Sequence, residues 1–146
     1  MKATVFNGID QIESVDALLK GKRLGLITNP TGTRKDLTAT IDLLNERYQL
    51  TALYSPEHGV RGDAQAGVKI ADRVDPLTGV MAYSLYGEGD QLTEENTKDV
   101  DMIVVDIQDV GARFYTYLYT MSYSMACCKK LGLPMVIFDR INPIGG

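Results

Sequence analysis

Apolar positions along the chain alternate between short continuous runs and stretches with helical spacing, the pattern of a mainly parallel sheet covered by helices. Ile9, Ile12, Val15 and Leu18 or Leu19 form one stripe of a first helix, which Gly21 closes. Arg23 to Thr28 (RLGLIT) reads as a short buried strand running directly into the turn formers Asn29-Pro30-Thr31-Gly32. Asp36 suits the N-cap of a second helix, whose apolar face is Leu37, Ile41, Leu44 and Tyr48, and a strand over Leu50 to Ser55 completes a β-α-β unit. The crossover of such a unit is right-handed in nearly all proteins, so the loops after its two strands lie at the same end of the sheet.

The stretch from Gly59 to Asp90 is rich in Gly and Asp and carries one strand candidate, Val80 to Leu85, so it is predicted to be an irregular surface excursion. A helix near Thr93 to Lys98 is predicted to lead into Asp101 to Ile107 (DMIVVDI), the clearest buried strand in the chain. Leu118, Met121, Met125 and Cys128 mark the core stripe of the helix that follows, and Met135 to Asp139 forms the last strand. No internal repeat, low-complexity segment or linker interrupts the pattern. The predicted class is α/β: one Rossmann-like or flavodoxin-like three-layer domain over residues 1–146, with four or five parallel strands.

Composition narrows the function classes. With 146 residues, 45% hydrophobic and 23% charged, the chain can bury a core without disulfides or metal. A net charge of -4 with dispersed basic residues argues against a nucleic-acid partner, and Lys20, Lys22 and Arg23 read as a solvated helix-to-strand junction. No apolar run approaches the roughly 20 residues that cross a bilayer, and the first residues lack the apolar stretch of a signal peptide. Cys127 and Cys128 are adjacent on a helix, where their side chains diverge, and they read as core-facing reduced thiols. A single His and two adjacent Cys leave no structural zinc site, so no metal is expected. Neither a G-x-G-x-x-G nor a Walker A motif is present, and ITNPTG after the first strand has no acid of the response-regulator kind, so no cofactor is expected.

Ligands of such sheets bind beyond the carboxyl ends of the strands. Those ends carry Thr28-Asn29, Ser55-Pro56-Glu57-His58-Gly59, Asp106-Ile107-Gln108-Asp109 and Asp139-Arg140, while the loops at the opposite edge, Gly21-Lys22 and Leu131 to Pro134, are bland. Glu57, between Pro56 and His58 on a tight loop, suits a general acid, with Asp106, Asp109 or Asp139 as the second carboxylate of a glycoside hydrolysis. The competing reading is that Glu57 caps a turn and the aspartates hold helix N-termini. His58 reads as an orienting partner more readily than as a base, and a metal held by His58, Glu57, Asp63 and Asp106 is a minority reading. Arg61, Arg113 and Arg140 suit either bidentate recognition of an anionic substrate or bracing pairs with Asp63, Asp109 and Asp139. Tyr115, Tyr117 and Tyr119, in FYTYLYT, suit either sugar stacking or packing at a helix entrance.

The strings GLITNPTG (25–32), YSPEHGVRGDAQAG (54–67), DPLTGV and YSLYG (within 75–87), DIQDVGARFYTYLYT (106–120) and DRINPIGG (139–146) resemble, in order and spacing, the motifs of the DUF1343 family. The resemblance implies the N-terminal domain of a bacterial exo-β-N-acetylmuramidase, a glycosidase that removes terminal N-acetylmuramic acid from the non-reducing end of peptidoglycan fragments. It implies Glu57 as the catalytic glutamate, and places Asn29, His58, Arg61, Asp106, Gln108, Asp109, Arg113, Tyr115, Asp139, Arg140 and Asn142 around one cleft. Where the family usually reads DRPNP, this chain has Asp139-Arg140-Ile141-Asn142-Pro143, which changes a rigid turn residue and leaves the polar ones in place. Family members continue for roughly another domain, so the chain is expected to stop short of it and to expose apolar surface that favours self-association. The alternative function is therefore a catalytically inert sugar-binding or interaction domain. The resemblance also implies that the parent protein acts outside the cytoplasm.

Overall fold

The computed structural model describes residues 4–62, 71–87 and 91–145. Strands β1 (Arg23–Thr28), β2 (Gln49–Ser55), β3 (Arg73–Val74), β4 (Met81–Ser84), β5 (Met102–Asp106) and β6 (Met135–Ile137) form one sheet in the order β3-β4-β2-β1-β5-β6. Every pairing is parallel except β3 with β4. A Gly8–Val15 3-10 segment and α1 (Asp16–Leu19) precede β1; α2 (Thr40–Arg47) links β1 to β2, and α3 (Tyr117–Leu131) links β5 to β6.

The central strands are apolar on both faces because both faces are covered. Side chains alternate between two cores: Leu24, Leu26, Leu53, Met102 and Val104 pack with Ile9, Ile12, Ile41 and Leu44, while Ile27, Tyr54, Ile103 and Val105 pack with Leu92, Val100, Cys127 and Cys128. Gly25 leaves room for the Tyr54 ring, since a Cβ there would lie 2.7 Å from its Cε2. The Tyr54 hydroxyl donates to the Asn96 carbonyl at 2.7 Å. Both cysteines are buried and unpaired, and burial raises the Cys128 thiol to about 11.

The chain runs outward from β1 through β2 to β4 on one side and returns to β5 and β6 on the other. The loops after β1 and β5 therefore leave toward opposite faces, which makes their boundary the switch point where such sheets hold ligands.

Several predicted elements shift. Five parallel strands are present, within the expected four or five, and the described residues add a two-residue antiparallel edge strand, β3. Helix α2 starts at Thr40, not after Asp36: Asp36 Oδ1 accepts from the Thr38 amide at 3.0 Å, Leu37 takes a left-handed φ of 69° and stays exposed, and the loop is closed by a Thr33–Ala39 bridge. The helix predicted near Thr93 to Lys98 is a run of turns. There Thr93 Oγ1 accepts from the Asn96 amide and Asn96 Oδ1 from the Thr93 amide, local bonds that compete with helix formation. The last strand ends at Ile137, short of Asp139. On α3 the buried positions are Ser124, Cys127 and Cys128, whereas Leu118 and Met125, expected in the core, are about half exposed. Residues 117–128 contain no charge, so no polar face was there to orient the helix. No helix among the described residues is long and apolar enough to cross a membrane.

Candidate functional site at the carboxyl ends of the strands

Asp106 ends β5 with no solvent exposure. Its Oδ1 accepts from Arg140 Nε at 2.6 Å and its Oδ2 from Arg140 Nη2 at 2.9 Å, while the Thr40 hydroxyl also donates to Oδ2. Arg140 Nη2 donates in addition to the Thr33 carbonyl at 2.8 Å. One buried ion pair thus ties the end of β5 to the loop after β6, the loop after β1 and the start of α2. Asp106 and Arg140, expected at a substrate, are turned toward each other instead.

Arg61 is likewise engaged. Its Nε and Nη2 hold the two oxygens of Asp75 at 3.0 Å each, and Nη2 also donates to Asp42 at 2.8 Å. The guanidinium holds the Asp75 carboxyl below its ordinary range, with Thr78 adding two hydrogen bonds; the Arg61 pKa is raised in return. Asp63, considered as a partner for an arginine and as a metal ligand, lies outside the described residues.

The loop after β1 is fixed by Asn29, which is 3% exposed and whose Oδ1 accepts from the Thr31 amide at 3.0 Å and the Thr31 hydroxyl at 2.5 Å. The Thr31 hydroxyl oxygen accepts from the Gln108 amide at 2.9 Å, and Gln108 Nε2 donates to the carbonyls of Asp109 and Ile141. Gln108 is therefore a clasp between three strand-end loops. Asp109 Oδ2 accepts from the Gly111 amide at 2.8 Å, and its Oδ1 is sealed from solvent without a hydrogen-bond partner. Asn142 Oδ1 accepts from the Ile144 amide and packs on Gly111, where a Cβ would lie 2.2 Å from it.

Glu57 and His58 lie on the turn after β2. His58 and Gly59 take left-handed φ values of 75° and 81°, and the Gly59 amide donates to the Pro56 carbonyl at 3.3 Å. A non-glycine residue held in that region is mildly strained, and such strain concentrates at functional turns. Both side chains are half-buried and line a depression of about 230 Å³ with Phe114, Tyr115, Thr116 and Tyr117. The Tyr86 hydroxyl donates to the Glu57 carboxylate, which raises the Tyr86 phenol above its ordinary range. Burial raises the Tyr117 phenol as well; a hydrogen bond from the Asn29 amide opposes that shift, and the nearby Glu57 charge adds to it.

A second depression, of about 440 Å³, adjoins through Tyr115 and is lined by Asp109, Arg113, Tyr119 and Asn142. Arg113 is exposed and has no ion-pair partner among the described residues. Asp139 borders a smaller, mainly apolar cavity of about 120 Å³ between α3 and the end of β6. The structure thus gathers Glu57, His58 and Tyr115 at one depression and Asp109, Arg113, Tyr115 and Asn142 at its neighbour, and it sets Arg61, Asp106 and Arg140 into braces.

Sequence reasoning passed over Tyr86. Tyr86 sits two residues beyond Ser84, the last residue of β4, so the strand-end rule applied to β4 finds it.

Residues 24–146 match the family described as exo-beta-N-acetylmuramidase NamZ, N-terminal. The chain is 51% identical over 148 residues to the peptidoglycan beta-N-acetylmuramidase NamZ of Bacillus subtilis (strain 168), a match covering 99% of this chain and 36% of that protein. Two crystal structures of DUF1343 family proteins from Bacteroides fragilis NCTC 9343 superpose with TM-scores of 0.86 and 0.80, at 45% and 35% identity, each covering 97% of this chain and 36% of the other. The chain therefore spans about a third of the length of these relatives.

Proposed function

Because this chain belongs to the family of NamZ N-terminal domains, within a family of cell-wall glycosidases, we propose that it carries the acid half of an exo-β-N-acetylmuramidase site, with Glu57 as the general acid. The observation that carries this reading is the setting of Glu57: half-buried on a strained turn at the carboxyl end of β2, hydrogen-bonded by Tyr86, and facing an aromatic-lined depression. A glycosidase needs a carboxyl group positioned to protonate the leaving oxygen as oxocarbenium character develops, together with a second carboxylate that acts as base or nucleophile. Tyr86 orients Glu57, Tyr115 and Tyr117 offer flat rings to sugar faces, and His58 lines the same wall.

Asp106, enclosed by Arg140 and Thr40, is assigned a positioning role in place of the second carboxylate. The substrate is a peptidoglycan fragment carrying a terminal N-acetylmuramic acid at its non-reducing end, and the site of action lies outside the cytoplasm. The enclosure of Asp106 by Arg140 and Thr40, which withdraws it from the role of second carboxylate, favours a second reading in which this chain binds the saccharide without turning it over.

Turnover of para-nitrophenyl N-acetyl-β-muraminide by the chain, beside Glu57→Gln, tests both. Turnover lost in a well-folded Glu57→Gln supports the acid assignment, and turnover that survives the substitution overturns it. Saccharide binding without turnover in the unsubstituted chain supports the binding-domain reading.

A further inference from the structure

Three arginines lie near the strand ends, and two of them are committed. Arg140 is buried against Asp106, and Arg61 is shared between Asp75 and Asp42. Arg113 differs on every count. It is exposed, it has no ion-pair partner among the described residues, and it lines the depression of about 440 Å³ that shares Tyr115 with the Glu57 depression.

Its position is also built rather than incidental. The Tyr115 amide donates to the Ala112 carbonyl at 3.0 Å, which closes a turn with Arg113 and Phe114 at its centre. Upstream, the Asp109–Gly111 hydrogen bond and the left-handed Gly111, packed on Asn142, anchor that turn. Asp109 lines the same depression, but its Oδ2 is turned to the Gly111 amide and its Oδ1 is sealed from solvent. Of the two charged residues that line the depression, Arg113 is exposed and Asp109 is half-buried. A planar guanidinium binds a carboxylate through two parallel hydrogen bonds, and in a chain of net charge -4 an anion needs such a local cation.

We propose that Arg113, flanked by Tyr115 and Tyr119, forms a subsite that binds the carboxylate of an anionic sugar whose ring lies against the Glu57 depression, and so selects muramic-type over neutral N-acetylhexosamine units. The proposal rests on the saccharide reading of the Glu57 site. It does not depend on turnover, because binding is its readout.

The experiment is a titration of the chain with N-acetylmuramic acid, its methyl ester and N-acetylglucosamine, followed by amide chemical shifts and calorimetry. The unsubstituted chain should prefer N-acetylmuramic acid over the other two by about tenfold or more, the range of one charge-assisted contact. Arg113→Gln should abolish the preference while leaving N-acetylglucosamine affinity unchanged, and Arg113→Lys should restore part of it. Arg113 is exposed, so an unchanged circular dichroism spectrum is expected for both variants. A preference that persists in Arg113→Gln, or that is absent from the unsubstituted chain, overturns the proposal. Glu57→Gln separates the two ideas: it should lose turnover and keep the preference, so failure of the acid assignment leaves this result standing, and the reverse holds too.

Discussion

Arg140 grips both carboxylate oxygens of Asp106, Nε to Oδ1 at 2.6 Å and Nη2 to Oδ2 at 2.9 Å, with 6% and 0% of the two side chains exposed. Removing one partner of a buried pair leaves the other charge uncompensated, which costs about 3–5 kcal/mol. Arg140→Met should therefore lower unfolding free energy by that amount in urea, and Asp106→Asn should destabilise as well. The double variant should lose less than the sum, because the two side chains share one interaction. Strict additivity would show that the pair is not coupled.

The loop after β1 has no room beside Gly32. A Cβ there would lie 2.1 Å from Thr28 Oγ1 and 2.9 Å from the Asp106 carbonyl, the two groups joined by a 2.7 Å hydrogen bond across β1 and β5. Gly32→Ala should cost about 1–3 kcal/mol through overpacking and disturb the switch point directly. Gly21→Ala is the control: its φ is 75° but nothing lies within 4 Å, so only backbone strain of about 1–2 kcal/mol applies. Amide shifts of Thr28 and Asp106 should move in the Gly32 variant and stay in place in the control.

Period and run length made the parallel sheet legible: β1 falls on the predicted residues, and β2, β4 and β5 fall within one or two of them. The strand-end rule singled out Glu57, His58, Asp109 and Asp139 as candidates because topology alone puts those loops at one edge. What the sequence concealed was pairing. Arg61 chose Asp75 and Asp42, and Arg140 chose Asp106, partners separated by 14, 19 and 34 positions along the chain. Charge type gives no information about which of several carboxylates a guanidinium will meet. The orientation of α3 was hidden for the opposite reason: its residues through Cys128 are all uncharged, so periodicity offered more than one face.

Acid should weaken the fold through a pair at the other end of β1. Arg23 donates from its side chain and its backbone amide to Asp101, holding that carboxyl at about 2, below its ordinary 3.8. A carboxyl depressed in the folded state contributes stability above its unfolded pKa, and the contribution fades as pH falls through the folded value. Asp101→Asn should therefore melt below the unsubstituted chain at neutral pH, with the gap closing between about pH 4 and pH 2. The pair is more than a third exposed, so salt should shrink the gap too. Asp75, depressed by Arg61, acts in the same direction. Parallel melting curves for Asp101→Asn and its parent across that window would contradict the assignment.

Tyr86 owes its raised phenol first to the hydrogen bond it donates to Glu57, and then to the charge of that carboxylate. Replacing Glu57 by Gln removes the carboxylate charge and leaves at most a weaker, neutral hydrogen bond from the phenol to the amide oxygen, so the Tyr86 phenol should titrate lower in Glu57→Gln than in the parent. Tyrosinate absorbance isolates this one ring among eight tyrosines when each titration is subtracted from that of the matching Tyr86→Phe protein. An identical Tyr86 transition in both backgrounds would show that the two groups do not interact. Tyr86→Phe carries the same relationship into function. On the proposed assignment of Glu57 as the acid, losing the contact that orients it should slow turnover of the muraminide by about tenfold. Because Tyr86 donates to a side chain on an edge loop and not to the core, the unfolding midpoint should hold while the rate falls. A drop in both together would instead make Tyr86 a support of the loop fold.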